Sequence, residues 1–274
     1  MNLKTSLVTR LERSTTVVRA FALATSLHLL PHANIPQVAQ PSVPVLSVKV
    51  LKAYPHDPKA FTQGFEYFDG FLYESTGQTG QSSLRKVDLE TGEVLQKTDL
   101  SSQYFGEGLT ILHGKIYQLT WLTKTGFVYD LRNFRKLREF HYDGEGWGLT
   151  HDGYHLILSD GTNRLRYLDP ETFQVVRTLE VYAGKEAVPN LNELEFIENE
   201  IYANVWHSNR IARIDTRSGL VRAWIDFSSL ASQEQKNPEA VLNGIAFDSI
   251  RHRFFITGKN WPHVFQTGIE GITR

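Results

Sequence analysis

No cysteine occurs among the 274 residues. That excludes disulfides, thiolate nucleophiles and cysteine-ligated zinc, and it leaves the compartment open. Neither sign of charge dominates: 29 Lys and Arg stand against 30 Asp and Glu, for a formal net charge of -1. A surface that binds nucleic acid needs a basic excess, so no nucleic-acid partner is expected. No GxSxG, P-loop or GxGxxG occurs, and the ten histidines include no HExxH-like pair. The chemistry those motifs mark is not expected, and no residue is assigned as a metal ligand. His207 and His263 fall near the rim of the site described below, but without a carboxylate cluster they do not read as a zinc site.

The chain has few long apolar runs. Lys4, Arg10, Arg13 and Arg19 precede one of them, Ala20 to Leu30. It is too short to cross a bilayer and suits the apolar core of a signal peptide. Residues 1–33 are therefore expected to be a signal peptide, with the mature protein exported to the periplasm or secreted and not membrane-bound. Prolines at 36, 41 and 44 mark residues 34–44 as a linker.

What is present, from residue 45 to residue 274, is β texture with an internal period. A short cassette returns five times ahead of an alternating strand. It reads Gln63-Gly64-Phe65 before FLYEST, Glu107-Gly108-Leu109 before KIYQLT and Trp147-Gly148-Leu149 before HLILSD. It returns as Asn192-Glu193-Leu194 before EIYANV and Asn243-Gly244-Ile245 before RFFITG. The steps are 44, 40, 45 and 51 residues, and a period of that size marks a propeller or another repeat architecture. A second unit, a strand ending in an Asp turn, recurs in phase at Asp88, Asp130, Asp169 and Asp215. Asp accepts hydrogen bonds from its own turn, while Gly, Asn or Pro supply the backbone angles. The expectation is an all-β, five-bladed propeller. The fifth period lacks an Asp turn and an outer strand, so the strand near Val48 is expected to pair with the last blade and close the ring. One short helical turn is expected between Leu230 and Val241.

In a propeller the starts of the innermost strands converge on the central channel. Gln63, Glu107, Trp147, Asn192 and Asn243 should meet there, flanked by Phe61, Phe105, Glu145, Glu193 and Glu195. Trp121, Trp206, Lys259 and Trp261 join them from the ends of the inner strands. Aromatic walls with a few placed polar groups are what a small-molecule site requires. Glu74 and Glu145 read as supporting residues.

The stretches FTQGFEYFDGFLYESTG, YFGEGLT, GWGLTHDG, LNELEF with EIYANVW, LNGIAF and TGKNWP together resemble glutaminyl-peptide cyclotransferases of the plant and bacterial type, from about Val45 to about Phe265. The resemblance implies conversion of N-terminal glutamine of peptides or proteins to pyroglutamate with release of ammonia, on a five-bladed propeller and without catalytic zinc. It implies Glu107 as the catalytic glutamate, with Asn192 and Lys259 beside it. It also implies a substrate pocket of Phe61, Gln63, Phe105, Trp121, Trp147 and Trp206. No cofactor is required on this reading, a structural divalent cation in the channel is compatible with it, and a monomer is expected. Two other classes use the same ring: a non-catalytic propeller that binds peptides, and a metal-dependent lactonase-like hydrolase with Glu107, Asn192, Asn243 and Glu195 around the ion.

Overall fold

The computed structural model describes residues 42–273. The expected signal peptide and most of the linker lie outside them. The fold is all-β with one short helix. Strand β1 (Val45–Pro55) is followed by β2–β5 (Thr62–Phe68, Phe71–Thr76, Ser83–Asp88, Val94–Asp99) and β6–β9 (Gly106–Leu112, Lys115–Thr120, Thr125–Asp130, Lys136–His141). Next come β10–β13 (Leu149–His151, Leu156–Ser159, Arg164–Leu168, Val175–Glu180) and a small ribbon, β14 and β15 (Tyr182–Ala183, Glu186–Ala187). The chain ends with β16–β19 (Leu191–Ile197, Glu200–Val205, Arg210–Asp215, Val221–Asp226), α1 (Ser228–Glu234) and β20–β22 (Leu242–Asp248, Arg253–Gly258, His263–Ile269). The helix begins two residues before the expected segment.

Strands β2–β5, β6–β9 and β10–β13 are separate antiparallel meanders of four. The remaining strands form one eight-stranded sheet in the order β16-β17-β18-β19-β1-β22-β21-β20. Its joint is β1, which pairs in parallel with β19 through Val45, Leu46 and Ser47. From Val48, opposite Ile269, to Pro55, opposite His263, it pairs antiparallel with β22. Leu46 and Val48 pack on the cluster that holds Phe227, Phe254 and Trp261. The first strand of each meander lies against the next, β2 beside β6 and β20, and β16 beside β10 and β20. They form a nearly closed, barrel-like array.

Two features of the sequence allow that close approach. The glycine after three of the anchors leaves no side chain where a neighbouring backbone passes. A Cβ on Gly108 would stand 2.5 Å from the amide nitrogen of Leu149, and one on Gly148 would strike the carbonyl of Asn192. Where the fourth cassette carries Glu193 instead, the carboxylate ties strands together. Its two oxygens accept from the amides of Phe65 at 3.2 Å and Ile245 at 2.9 Å. Glu66 likewise accepts from the Thr110 hydroxyl and the Ile111 amide, and Glu195 from the Phe247 amide. Burial raises the pKa of all three carboxyls, that of Glu66 to about 7.

The Asp turns form as the pattern predicts. Asp88, Asp130, Asp169 and Asp215 each accept from backbone amides two or three residues on, at 2.7 to 3.1 Å. Gly92 and Gly219 supply the positive φ in two of them. In the other two that angle falls on Phe134 and Phe173, where Gly, Asn or Pro was expected. A left-handed residue with a side chain costs about 1–2 kcal/mol, and ring burial offsets it. Phe134 is buried, and Phe173 stacks on Phe140 with ring centroids 4.0 Å apart.

Candidate active site

The starts of the first strands and the ends of the second strands surround a cavity of about 320 Å³ at one end of the array. Phe61 and Gln63 come from the start of β2, Phe105 and Glu107 from β6, and Asn192 from β16. Trp147 stands just ahead of β10, while Trp121, Trp206 and Lys259 follow β7, β17 and β21. These nine line one wall or floor of the same space, together with Gln78 and Glu239. Neither of the last two was singled out from the sequence. Gln78 lies on a loop, and Glu239 on the irregular segment after α1, out of phase with the repeat.

Five expected neighbours do not line the cavity: Glu193 ties strands together, Glu145 bonds the indoles of Trp121 and Trp147, and three others lie elsewhere. Asn243 is fully buried beneath the cavity and does not line it. Its Nδ2 donates to the carbonyl of Thr62 at 2.9 Å and to Gln63 Oε1 at 3.3 Å. Trp261 is a core residue and not part of the rim: it is fully buried, and its Nε1 donates to the carbonyl of Ala240 at 2.8 Å. Gly258 has no Cβ where that indole tucks under the turn, and the buried ring anchors the turn from which Lys259 projects. Glu195 lines a second cavity at the far ends of the first strands. The four residues of the metal-hydrolase reading are therefore not gathered at one place. Among the described residues no group of three His, Asp or Glu has a geometry that holds a metal ion. Of the two histidines expected near the rim, His207 packs on Trp206 and His263 meets Glu234, and neither lines the cavity.

Glu107 is 4% exposed. Its Oε1 accepts from Gln63 Nε2 at 2.9 Å. Burial pushes its pKa well above the ordinary carboxylate range; the Lys259 ammonium opposes the rise and the Glu145 carboxylate adds to it. Lys259, 6% exposed, is shifted the other way, downward, again chiefly by burial, with Glu107 and Glu239 holding it up. Its Nζ lies 4.7 Å from the centroid of the Phe61 ring, a cation–π contact. Asn192 is 3% exposed, and its Oδ1 has no hydrogen-bond partner. A buried polar atom left unpaired costs about 1–3 kcal/mol, and no group among the described residues offsets that cost here.

The aromatic residues meet edge to face: Phe61 on Phe105, Phe105 on Trp121 and Trp147 on Trp206, with centroids 5.5 to 6.1 Å apart. Gly77 and Gly161 make room for them, since a Cβ on either would run into the ring of Phe105 or Trp147. Below the cavity Glu74 is buried against His56 at 3.0 Å and Thr62 at 2.7 Å, a supporting network as the sequence suggests. The cavity thus offers a shielded carboxyl of high proton affinity, an ammonium, a free amide and an apolar wall.

The chain as a whole is similar to known proteins. A family model described as glutamine cyclotransferase matches residues 22–269. A glutaminyl-peptide cyclotransferase of Arabidopsis thaliana is 49% identical over 231 residues, which cover 81% of this chain and 71% of that protein. The crystal structure of Myxococcus xanthus glutaminyl cyclase matches at 36% identity with a TM-score of 0.79, over 84% of this chain and 98% of the other. A family model spanning most of the sequence and a curated relative near half identical lead to one conclusion: this chain belongs to the glutamine cyclotransferase family.

Proposed function

We propose that the protein converts N-terminal glutamine of peptides or proteins to pyroglutamate with release of ammonia, and that Glu107 carries the proton. The observation that carries this reading is the shielded Glu107 carboxyl facing Lys259 in a cavity walled by aromatics. The family membership and the names of the relatives agree with it.

The α-amine attacks the γ-carbonyl of its own side chain. It must lose a proton to do so, and its ordinary pKa of about 7.7–8.0 leaves it mostly protonated at neutral pH. A carboxylate whose pKa burial has raised holds that proton better than an ordinary one, and proton transfer of this kind contributes about 10²–10⁴-fold. The C–N bond of the ring forms, the carbonyl oxygen becomes an oxyanion, and Glu107 returns the proton to the γ-nitrogen. The C–N bond to that nitrogen then breaks and ammonia leaves, while the ring nitrogen gives up its second proton to Glu107, which passes it to solvent or to the departing ammonia, so the protons balance without a cofactor. Lys259 and the side-chain amide of Asn192 are the donors to the oxyanion. Removing one such donor costs about 3 kcal/mol in other acyl-transfer sites. The reaction is intramolecular, so the aromatic wall contributes by holding the glutamine side chain folded toward its own amine.

In this reading the fold is a five-bladed propeller. The blades are β2–β5, β6–β9, β10–β13, β16–β19 and a fifth of β20–β22 completed by β1. The antiparallel pairing of β1 with β22 supports that closure. The carboxylates of the channel are carried by backbone amides, and no cation is invoked. The mature protein is proposed to be an exported monomer.

The test is ammonia release from a short peptide with N-terminal glutamine, beside the same peptide with an acetylated N-terminus. The first should cyclise and the second should not, with EDTA leaving the rate unchanged. A folded preparation that turns over neither peptide sinks the proposal.

A further inference from the structure

The aromatic wall has a gap. Phe61, Phe105 and Trp121 form one run of edge contacts, and Trp147 and Trp206 form another. No ring contact joins Trp121 to Trp147. The joint is Glu145: its Oε2 accepts from Trp121 Nε1 at 2.6 Å and from Trp147 Nε1 at 2.8 Å. We propose that Glu145 is a positioning residue of the cyclisation site, clamping two indoles into one wall and setting the field felt by Glu107. This rests on the reading of the cavity given above.

The geometry favours a dedicated clamp over a chance surface contact. An indole N–H is a single donor; that of half-buried Trp147 needs an acceptor, and Trp121, 37% exposed, turns its N–H to the same oxygen. Charge-assisted hydrogen bonds are roughly twice as strong as neutral ones, and here one oxygen takes two of them. A guanidinium touches the same loop yet does not neutralise the clamp. Arg166 donates to the carbonyls of Asp143 and Glu145 and pairs with Asp160 at 3.4 Å. Its role is to hold the loop, and no ion pair to Glu145 forms among the described residues. The loop is fixed further by the Gly146 amide donating to the Trp121 carbonyl at 3.1 Å and the Trp147 amide to the Ser159 carbonyl at 3.0 Å.

The charge matters as much as the contact. Lys259 faces Glu107 from the turn after β21, Glu145 from the loop before β10 and Tyr142 from the end of β9, while Glu239 faces Lys259. Of these charges, Glu145 holds the proton on Glu107 and Lys259 draws it off. The second role of Glu145 is therefore electrostatic: a neutral residue at 145 leaves burial alone to oppose Lys259.

Two variants separate the parts. Glu145→Gln keeps an oxygen for the indoles and removes the charge; Glu145→Leu removes both. With Glu145→Gln the acidic limb of kcat/KM for a glutaminyl peptide should move to lower pH, with KM near that of the parent. With Glu145→Leu, KM should rise about tenfold, equivalent to 1.4 kcal/mol, and tryptophan emission should shift to the red. Adding Trp121→Phe to Glu145→Leu should then cost less than Trp121→Phe costs alone. An active parent with an unmoved acidic limb in Glu145→Gln, or an unchanged KM in folded Glu145→Leu, overturns the proposal. Should Glu145→Leu fail to fold, the limb of Glu145→Gln decides. An inactive parent counts against the cyclisation reading instead, and the emission of the two variants then decides the clamp.

Discussion

Gln63 and Glu107 stand 44 residues apart in the chain, and their side chains meet at 2.9 Å, Nε2 donating to Oε1. Each is the anchor of its own cassette, so the repeat itself brings them together. Because the amide donates, Oε1 is occupied as an acceptor, and the proton that Glu107 exchanges with substrate belongs on Oε2. The far end of Gln63 is held in turn, since its Oε1 accepts from Asn243. Asn243 thus fixes which end of the Gln63 amide faces the carboxyl.

Gln63→Leu removes a donor that favours the charged form of Glu107. Hydrogen bonds to charged groups contribute about 1.5–3 kcal/mol, so the acidic limb of kcat/KM should move up by roughly one pH unit. This is opposite in sign to the shift expected for Glu145→Gln. Rate profiles of both variants over the same buffers check it, and shifts of the same sign contradict it.

On the proposed mechanism, Asn192→Ala and Lys259→Met each remove a donor to the oxyanion. Each should lower kcat by about 10²–10³-fold while changing KM less. Steady-state kinetics on one glutaminyl peptide make the comparison. A large rise in KM at constant kcat assigns the residue to ground-state binding instead.

Glu66 links stability to pH. Its pKa is raised by burial from 4.5 to about 7, so the folded state holds a proton that the unfolded chain gives up. Stability from this group is fully present below pH 4.5 and is lost as pH rises through 7. A shift of that size is worth about 3 kcal/mol. Glu66→Gln keeps an acceptor for the Ile111 amide and carries no charge at any pH. It should raise Tm at pH 8 and leave it nearly unchanged at pH 4.5. A Tm difference independent of pH rules this account out.

Gly148→Ala places a methyl group against the carbonyl of Asn192, backbone against backbone. Neither side has a flexible end to move, so destabilisation of about 3 kcal/mol or more is expected, with loss of the Asn192 position. Gly153→Ala, where a Cβ meets nothing within 4 Å, is the control. It should cost less, through its positive φ alone. Denaturant midpoints of the two variants measure the difference.

Much of the site was legible in the sequence because the repeat carries it. Residues one period apart occupy equivalent places on neighbouring strands, so an alignment of cassettes is already a list of cavity neighbours. The misses have physical causes. Glu239 lies outside the repeat, so no phase points to it. Asn243 shares the phase, but its side chain turns under Gln63. Trp261 resembles the rim tryptophans by type and spacing, yet the missing Cβ of Gly258 lets its ring fold inward. Phe134 and Phe173 hold backbone angles that their residue type disfavours, and ring packing formed only in the tertiary structure offsets the cost. Glu66 offers no local signal, and Glu193 and Glu195 are legible as flanking the anchors but not as strand ties, because the partners of all three are amides on strands far away in the chain.

The most direct test of the central claim compares the parent with Glu107→Gln on a peptide with N-terminal glutamine, following ammonia release and the matching loss of mass over pH 6 to 9. Gln at 107 preserves size and hydrogen bonding but cannot accept the amine proton. The account predicts fast cyclisation by the parent and a rate at least about 10²-fold lower for the folded variant. A Glu107→Gln protein that cyclises the peptide at the parent rate contradicts it.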